Sequence, residues 1–304
     1  MQRVTIVLVV HNSTSVLDTL FDRLSPFPHV VAVDNASRDG TPERIRALRP
    51  DATVIANPYN SGYGYASNLG FAAAKTDYAL QINPDAEFGP GDVLRLVAMA
   101  DVNSNVAGVA PRLVDEFDTL QLSVMGPRER HHRAIAAPPD GAFCTWFLMA
   151  AIILWRLDAL RALGGFDVNI FLYEEDADLC LRATKAGYAL IVEPAAIAVH
   201  RGGASEKVSA KTRWRKDWNQ AWSHFYYEDK HGTPGSGRAK AARSLLPLFL
   251  KGLGGIARFR AKTVIGQFAR FAAAVRYLRG GPAWARPEMA RKGALPLCNP
   301  LEIG

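Results

Sequence analysis

Acidic side chains stand at three places where the sequence leaves an apolar stretch or begins an amphipathic one. Asp34 ends the run VVAV, Asp85 follows YALQI within the segment QINPDAEF, and the cluster Glu174-Glu175-Asp176 opens an amphipathic stretch. A carboxylate at such a position can bind a divalent cation, accept a hydrogen bond from a ligand, or take a proton as a general base. Simpler interpretations stay open: an Asx turn for Asp34, a helix cap for Asp85, and a favourable helix dipole for the cluster.

Short β-rich runs alternate with helical segments in the first part of the chain. Four runs predict strands, at residues 4–10, 30–33, 53–56 and 78–82. Thr41 as N-cap and Pro42 at the first helical position predict a helix that extends to Arg49. This alternation predicts an α/β fold with a mainly parallel sheet flanked by helices. Ligands of such sheets bind at the carboxyl ends of the strands.

The rest of the chain predicts further elements and an extension. These are a helix at 91–100, a strand at 107–111, a loop at 115–140, a buried apolar run at 142–155, and helices at 157–163 and 174–186. The segment GTPGSGR that follows His231 has the composition of a flexible linker. We therefore predict two domains, an α/β domain at 1–230 and a basic amphipathic helical extension at 231–304.

The charge of the chain is divided unevenly along its length. The net charge is +7, but residues 1–200 hold 16 Lys and Arg against 23 Asp and Glu, whereas residues 201–304 hold 20 against 6. The C-terminal part is therefore expected to attract an anionic partner. Basic residues spread among Leu, Ile, Phe and Val between residues 244 and 279 are typical of helices at a membrane surface. The alternative is a helical hairpin that packs on the main domain and exposes a basic face to solvent.

Composition also predicts the compartment. The three cysteines, Cys144, Cys180 and Cys298, lie far apart without a CxxC pair, which is typical of unpaired thiols in a reducing compartment. The N-terminal apolar run is too short for a signal peptide, and the longest uncharged stretch, 141–155, is shorter than the ~20 residues of a membrane-spanning helix. We expect a cytoplasmic protein, with the inner face of the cytoplasmic membrane as the further location to be considered.

Aromatic residues near the basic segment raise the question of nucleic-acid binding. Trp214, Trp218 and Trp222 lie close to Arg213 and Arg215. Their spacing of four residues places them on one helix face, so packing against the α/β domain is the simpler interpretation. We therefore predict no nucleic-acid partner.

Six blocks of sequence follow one another in an order that is typical of one family. They are VVHNS (9–13), VDNASRDGT (33–41), NPYNSGYGYASNLG (57–70), INPDAE (82–87), GGFDVNIFLYEEDADLCLR (164–182) and VHRGGAS (199–205). Together they resemble the inverting family 2 glycosyltransferases with the GT-A fold, and within them the bacterial rhamnosyltransferase-like members. The resemblance covers about residues 3–230. It implies transfer of a sugar, L-rhamnose from dTDP-L-rhamnose in those members, from a nucleotide-sugar donor to a bacterial cell-surface glycan or a lipid-linked acceptor.

The resemblance also implies roles for single residues. Asp176 matches the general base that takes the proton of the acceptor hydroxyl, and Glu175 is the next candidate. Asp85 matches the single aspartate of a DxD-type motif and His200 the histidine of an H-x-x-G-x-S block, so the two are expected to bind a divalent metal, Mn²⁺ or Mg²⁺. Asp34 matches the aspartate that accepts a hydrogen bond from a pyrimidine ring. The residues expected to bind the nucleotide sugar are Val9, His11, Asp34, Asn60, Gly62, Asn68 and Asp85.

Two alternative functions stay open. One is a UDP-hexose-dependent glycosyltransferase of the same family, and the other is a non-catalytic protein that binds a nucleotide sugar or a glycan. Loss of the base or of the metal residue would indicate the second, but both are present. Met149-Ala150-Ala151, preceded by Trp146, stands where relatives usually place a glycine, which changes the expected shape of the acceptor pocket.

Overall fold

The computed structural model describes residues 1–121, 139–200 and 209–283. These residues form two compact units. The first holds 1–121, 139–167 and 176–200, and the second holds 168–175 and 209–283. Most of the predicted 115–140 loop therefore lies outside the described residues.

The secondary structure up to residue 200 alternates strands and helices as predicted. The strands are β1 Val4–Val10, β2 His29–Asp34, β3 Thr53–Ala56, β4 Tyr78–Ile82, β5 Ala86–Phe88, β6 Val106–Val114, β7 Phe143–Cys144, β8 Ile152–Arg156 and β9 Ala189–His200. The helices are α1 Leu17–Leu24, α2 Thr41–Leu48, α3 Tyr63–Ala73, α4 Pro90–Val102, α5 Leu157–Ala162 and α6 Glu175–Lys185. Gly40, not Thr41, is the N-cap of α2, because the Thr41 hydroxyl turns to the Asp39 carboxylate at 2.6 Å.

The strands form one sheet in the order β3-β2-β1-β4-β8-β6-β9-β5, and β7 pairs with β9. Within the described residues six strands run in one direction, and β5, β7 and β8 run against them. This arrangement confirms the predicted α/β fold with a mainly parallel sheet. Parallel pairing aligns Val10 with Asp34 and Leu8 with Ile82, so the segments that follow β1, β2 and β4 leave the same edge of the sheet.

The central strands are buried along their whole length, which explains their uninterrupted apolar sequence. Every residue of β1 and of β4 is buried, as expected for strands covered by helices on both faces. Helix α3 approaches β1 closely at Gly70, where a Cβ atom would collide with the Val7 side chain. The glycine therefore allows α3 to pack closely on the sheet, and the N-terminus of this helix lies at the carboxyl edge of the sheet.

The second unit contains three helices: α7 Ala210–His231, α8 Ser236–Ala257 and α9 Ala261–Leu278. Helix α7 packs on α9, where the rings of Trp222 and Tyr277 meet edge to face at 5.4 Å and Asp217 pairs with Arg270 at 2.7 Å. Trp218 and Trp222 therefore pack within this unit, whereas Trp214 is 40% exposed. The two compact units do not coincide with the predicted boundary after residue 230, because α7 belongs with the helices that follow it.

The segment predicted to be a flexible linker is a tight connection between α7 and α8. The Asp229 carboxylate accepts hydrogen bonds from the main-chain N–H of Gly237 at 2.6 Å and of Arg238 at 3.2 Å, and from the Tyr277 hydroxyl at 2.5 Å. Burial raises the pKa of Tyr277, and the bond to Asp229 raises it further. One aspartate thus caps α8 and attaches α9 to it. None of the helices in the described ranges is long and apolar enough to cross a membrane.

Candidate active site

The structure brings together the two residues that the sequence proposes as metal ligands. Asp85 lies in the turn between β4 and β5, and β5 pairs antiparallel with β9 so that Ala86 is opposite His200. The Asp85 Oδ1 atom lies 3.5 Å from His200 Nε2, and their side chains are only 8% and 14% exposed. The Asn83 Nδ2 atom is also 3.5 Å from the same nitrogen.

Gln121 orients the His200 ring. Its Nε2 donates to the His200 main-chain oxygen at 2.9 Å, which leaves its Oε1 facing His200 Nδ1 at 3.1 Å. Because an amide oxygen only accepts, Nδ1 carries a hydrogen, and Nε2 is the ring nitrogen that faces Asp85. An imidazole held by such an outer hydrogen bond can bind a metal through its other nitrogen. Gln121 was not predicted, since no motif contains it.

The donor set fits a divalent cation that is completed by a ligand. Asp85 supplies carboxylate oxygen and His200 an imidazole nitrogen, which suit Mn²⁺ and, less well, Mg²⁺. Glu87, the other acid of this turn, pairs instead with Arg23 on α1 at 2.9 Å. Among the described residues no group of three His, Cys, Asp or Glu could hold a metal ion. Further ligands would therefore have to come from elsewhere, such as the oxygens of a bound diphosphate.

Asp34 lies at the carboxyl end of β2 and is 4% exposed. Both of its carboxylate oxygens accept from the Ser37 main-chain N–H, at 3.3 and 3.2 Å. The Asx-turn interpretation is therefore correct for the local structure. It does not compete with ligand binding, because an ionised carboxylate has about four acceptor positions.

Asn35 connects the loop after β2 to the loop that precedes α3. Its Oδ1 accepts from the Ser61 main-chain N–H at 3.0 Å and from Asn57 Nδ2 at 3.1 Å. Its Nδ2 donates to the Gly62 oxygen at 3.1 Å and to Asn60 Oδ1 at 3.2 Å. Gly62 has φ 87° and ψ 170°, a backbone conformation that favours glycine, and α3 begins directly after it. The predicted positions Asn60 and Gly62 are thus held by a residue that the sequence analysis missed.

Val9 and His11 lie at the end of β1, beside this network. The Val9 side chain is buried against Val33 and Ala66. His11 is partly exposed, and its Nδ1 lies 2.9 Å from the Asn35 oxygen. The structure therefore groups Val9, His11 and Asn35 at one edge of the sheet.

Asn68 lies apart from this group and has a structural role. It is fully buried on α3, its Nδ2 donates to the Phe166 oxygen at 2.8 Å, and its Oδ1 accepts from the Phe166 N–H at 2.9 Å. Both ends of the amide thus hold the main chain after the Gly164-Gly165 pair. We leave Asn68 out of the ligand-binding residues for this reason.

Asp176 and Glu175 form the first turn of α6. Asp176 is half-buried, and its Oδ1 lies 2.8 Å from the Ala177 main-chain N–H. Glu175 is only 7% exposed. Just before them Tyr173 and Glu174 have φ values of 67° and 71°, which are unusual for residues with a side chain. The greater exposure of Asp176 favours it over Glu175 as the residue that meets an acceptor.

A buried ion pair holds α6 in place. Asp178 is completely buried and accepts from Arg182 Nε at 2.9 Å. Arg182 also donates to the main-chain oxygens of Leu163 and Gly165, at 2.5 Å each. Asp178 therefore fixes the helix and the preceding loop, and it is not placed for chemistry.

The segment Met149-Ala150-Ala151, which precedes β8, contributes main chain to the site. The Tyr63 hydroxyl lies 2.9 Å from both the Ala150 oxygen and Asn83 Oδ1, and thereby orients the amide next to His200. Met149 lines a small apolar cavity whose wall includes Gln121, and Trp146 is 55% exposed. This segment thus shapes the space around the Asp85 and His200 pair.

The fold and the position of these residues define a class of protein. A mannosyltransferase from Pyrobaculum calidifontis, solved in complex with GDP-Man and Mn²⁺, matches the structure with a TM-score of 0.57 at 18% identity, over 91% of this chain and 87% of its own. This likeness confirms the predicted GT-A fold. Residues 5–153 match the family model described as glycosyl transferase family 2.

Two curated relatives from Mycobacterium tuberculosis match the chain. The N-acetylglucosaminyl-diphospho-decaprenol L-rhamnosyltransferase is 28% identical, over 56% of this chain and 66% of its own length. The pre-mycofactocin glycosyltransferase is 30% identical, over 65% of this chain and 42% of its own length. The chain thus spans less than two thirds of either relative.

Proposed function

We propose that this protein is an inverting, metal-dependent hexosyltransferase that moves a sugar from a nucleotide-sugar donor to a bacterial cell-surface glycan or lipid-linked acceptor. The observation that carries the proposal is the Asp85 and His200 pair, with Gln121 holding the imidazole, at an edge of the sheet to which β1 and β2 also deliver polar side chains. The match of residues 5–153 to the glycosyl transferase family 2 model supports the reaction class.

The proposed mechanism assigns one task to each group. Asp176 takes the proton of the acceptor hydroxyl as its oxygen attacks the anomeric carbon from the face opposite the diphosphate, and Glu175 is the second candidate. A single displacement of this kind inverts the anomeric centre. Asp34 accepts a hydrogen bond from the N3–H of the pyrimidine. A divalent cation held by Asp85 and His200 would neutralise the charge that develops on the leaving diphosphate.

Donor and acceptor are proposed from the relatives. The L-rhamnosyltransferase relative supports L-rhamnose as the transferred sugar, and the diphospho-decaprenol in its name supports a lipid-linked acceptor. We propose dTDP-L-rhamnose as the donor and the inner face of the cytoplasmic membrane as the place of the reaction. The Mn²⁺ in the mannosyltransferase structure supports a divalent metal.

Calorimetric titration with dTDP-L-rhamnose, UDP-glucose, UDP-galactose and GDP-mannose, each with Mn²⁺ and with EDTA, tests the donor site. We expect metal-dependent binding of one donor, most strongly dTDP-L-rhamnose, and its loss in Asp85→Ala. Glu87→Ala is the matched control, because this neighbouring acid pairs with Arg23 and should leave binding unchanged. Binding that persists in EDTA and in Asp85→Ala would contradict the metal site.

The base is tested separately by turnover. Asp176→Asn should abolish transfer while the donor affinity and the thermal midpoint stay near those of the wild type. Glu175→Gln should keep measurable turnover. Full turnover by Asp176→Asn would refute the assignment, and loss only in Glu175→Gln would transfer the role to Glu175.

A further inference from the structure

Helix α8 exposes a continuous row of large apolar side chains. Leu246 is 66% exposed, Leu250 55%, Leu253 43% and Ile256 53%, with Phe249 at 41% beside them. With 3.6 residues per turn, these positions fall within a sector of about 120° on one side of the helix. Single exposed apolar residues are ordinary, but a contiguous row of them marks an interaction surface.

Four residues of the apolar row, Leu246, Leu250, Leu253 and Ile256, are turned to solvent. Phe249, at the border of the row, instead meets α9, where its ring lies 6.2 Å from that of Phe268 and 5.8 Å from that of Phe271. Helix α8 also meets α9 through small residues: a Cβ on Gly252 would lie 2.9 Å from the Phe268 ring, and one on Gly255 would lie 3.0 Å from Val264. Ala241 is also buried. An amphipathic helix usually buries its large apolar residues and exposes its small or polar ones. Here the arrangement is reversed, so the apolar row needs a partner other than α9.

Basic residues border the row on one side and at its end. Lys240, Arg243 and Lys251 are exposed in the neighbouring sector of α8. At the end of the helix Phe259 is 97% exposed and stands between two exposed arginines, Arg258 and Arg260. Residues 236–283 contain ten Lys and Arg and no Asp or Glu.

We propose that the apolar row of α8 and the Phe259 turn bind the surface of a bilayer that contains anionic phospholipid. The apolar side chains would enter the boundary between headgroups and acyl chains, while the basic side chains contact lipid phosphates. A second copy of the chain is a poor occupant, since a symmetric contact would bring two faces of the same positive charge together. The contact does not depend on the proposed transfer reaction.

Vesicle co-sedimentation of the full chain tests the proposal. We expect binding to phosphatidylcholine vesicles that contain phosphatidylglycerol, weaker binding at high salt, and little binding to phosphatidylcholine alone. Each Lys or Arg near an anionic surface contributes about 5-fold in affinity, so the double variant Arg258→Gln, Arg260→Gln should bind about 25-fold more weakly. Leu250→Ser and Phe259→Ser should also reduce binding.

The control variant is Leu94→Ser, because Leu94 on α4 is 52% exposed but belongs to the first unit. It should bind vesicles as the wild type does, and thermal midpoints and donor titrations of all variants should be unchanged. Failure of the wild type to bind anionic vesicles, or equal loss in Leu94→Ser, would overturn the proposal. A dimer in sedimentation velocity that Leu250→Ser dissociates would assign the face to a second copy and would overturn it as well. A failed donor titration would bear only on the proposed function.

Discussion

Replacement of Asn35 by Ala tests whether the loops at the proposed nucleotide site are held as the structure describes. The substitution takes an acceptor from the Ser61 main-chain N–H and a donor from the Gly62 oxygen. Asn57 Nδ2 keeps the Ser61 hydroxyl at 2.6 Å, and Asn60 Oδ1 keeps the Gly62 N–H at 3.1 Å. Two buried main-chain groups therefore lose the bond that Asn35 makes with them.

The Gly62 oxygen keeps the Ala66 main-chain N–H at 3.4 Å, so the magnitude follows mainly from the Ser61 N–H. A buried polar group that loses its partner costs roughly 1–3 kcal/mol, and Asn35→Ala should lower the free energy of unfolding by about this amount. Native domains are stable by about 5–15 kcal/mol, so most of the variant should remain folded. Because the Asn60 to Gly62 segment is released, we also expect about tenfold weaker donor binding, equivalent to about 1.4 kcal/mol.

Urea denaturation of both proteins measures the first quantity, and calorimetric donor titration measures the second. Asn105→Ala is the matched control: this exposed asparagine makes one side-chain bond, to the Gly187 oxygen at 2.7 Å. It should lower the unfolding free energy by less than about 1.5 kcal/mol. If Asn35→Ala were no more destabilising than Asn105→Ala, the hydrogen-bond network around Asn35 would not be that of the native protein.

Asp39 and His224 lead to two further predictions. Burial raises the pKa of Asp39, but hydrogen bonds from two threonines outweigh it and lower that pKa from 3.8 to about 2. The carboxylate therefore stabilises the fold above its unfolded pKa, and this stabilisation is lost as pH falls from 3.8 to about 2. Asp39→Asn should flatten the pH dependence of the thermal midpoint in this range, which corresponds to about 1 kcal/mol after solvent screening. An unaltered slope would contradict the prediction. The His224 Nδ1 atom lies 3.4 Å from Glu174 Oε1, and Glu174 directly precedes α6, which carries the proposed base. His224→Ala should therefore lower kcat several-fold more than it changes the donor KM. His224→Gln should restore part of the loss in kcat. Equal losses of kcat in both variants would leave His224 without a positioning role.

The strands and the Asp85 and His200 pair were predictable because their signals are local. The observed bounds of β1, β3 and β4 are those expected from continuous β-rich runs between turn residues. Six short blocks placed the candidate residues at the carboxyl ends of strands, where the topology then brought two of them together. Both kinds of signal depend on residue type and order alone.

Asn35 and Gln121 were not predictable, because their roles depend on partners far along the chain. Nothing in the type or the neighbours of Gln121 indicates that its amide faces the ring of His200. The same difficulty explains Asn68, whose place in an ordered block suggested a ligand contact although its amide binds the Phe166 main chain. Side-chain hydrogen bonds across loops have no sequence period that could reveal them.

The orientation of helix α8 was also not predictable from the sequence. Its apolar period is typical of an amphipathic helix, but such a period does not say whether the apolar side faces a neighbouring helix or the surface. The direction comes from α9, whose Phe268 and Val264 occupy the space beside Gly252 and Gly255. Small residues therefore make the closest contacts between the helices, and Leu246, Leu250, Leu253 and Ile256 are turned outward.

The distance between Asp85 and His200 is set by the pairing of two strands. Ala86 lies opposite His200 in the antiparallel register of β5 and β9. A slip of two residues would move the imidazole by almost 7 Å, because a strand rises about 3.4 Å per residue. Asp85 and His200 could then no longer bind the same metal ion. Strand β5 has only three residues, so its ladder alone holds this register weakly. Phe88 packs edge to face on Phe27 at 6.3 Å, and this contact of β5 with the loop after α1 holds the register that the site requires.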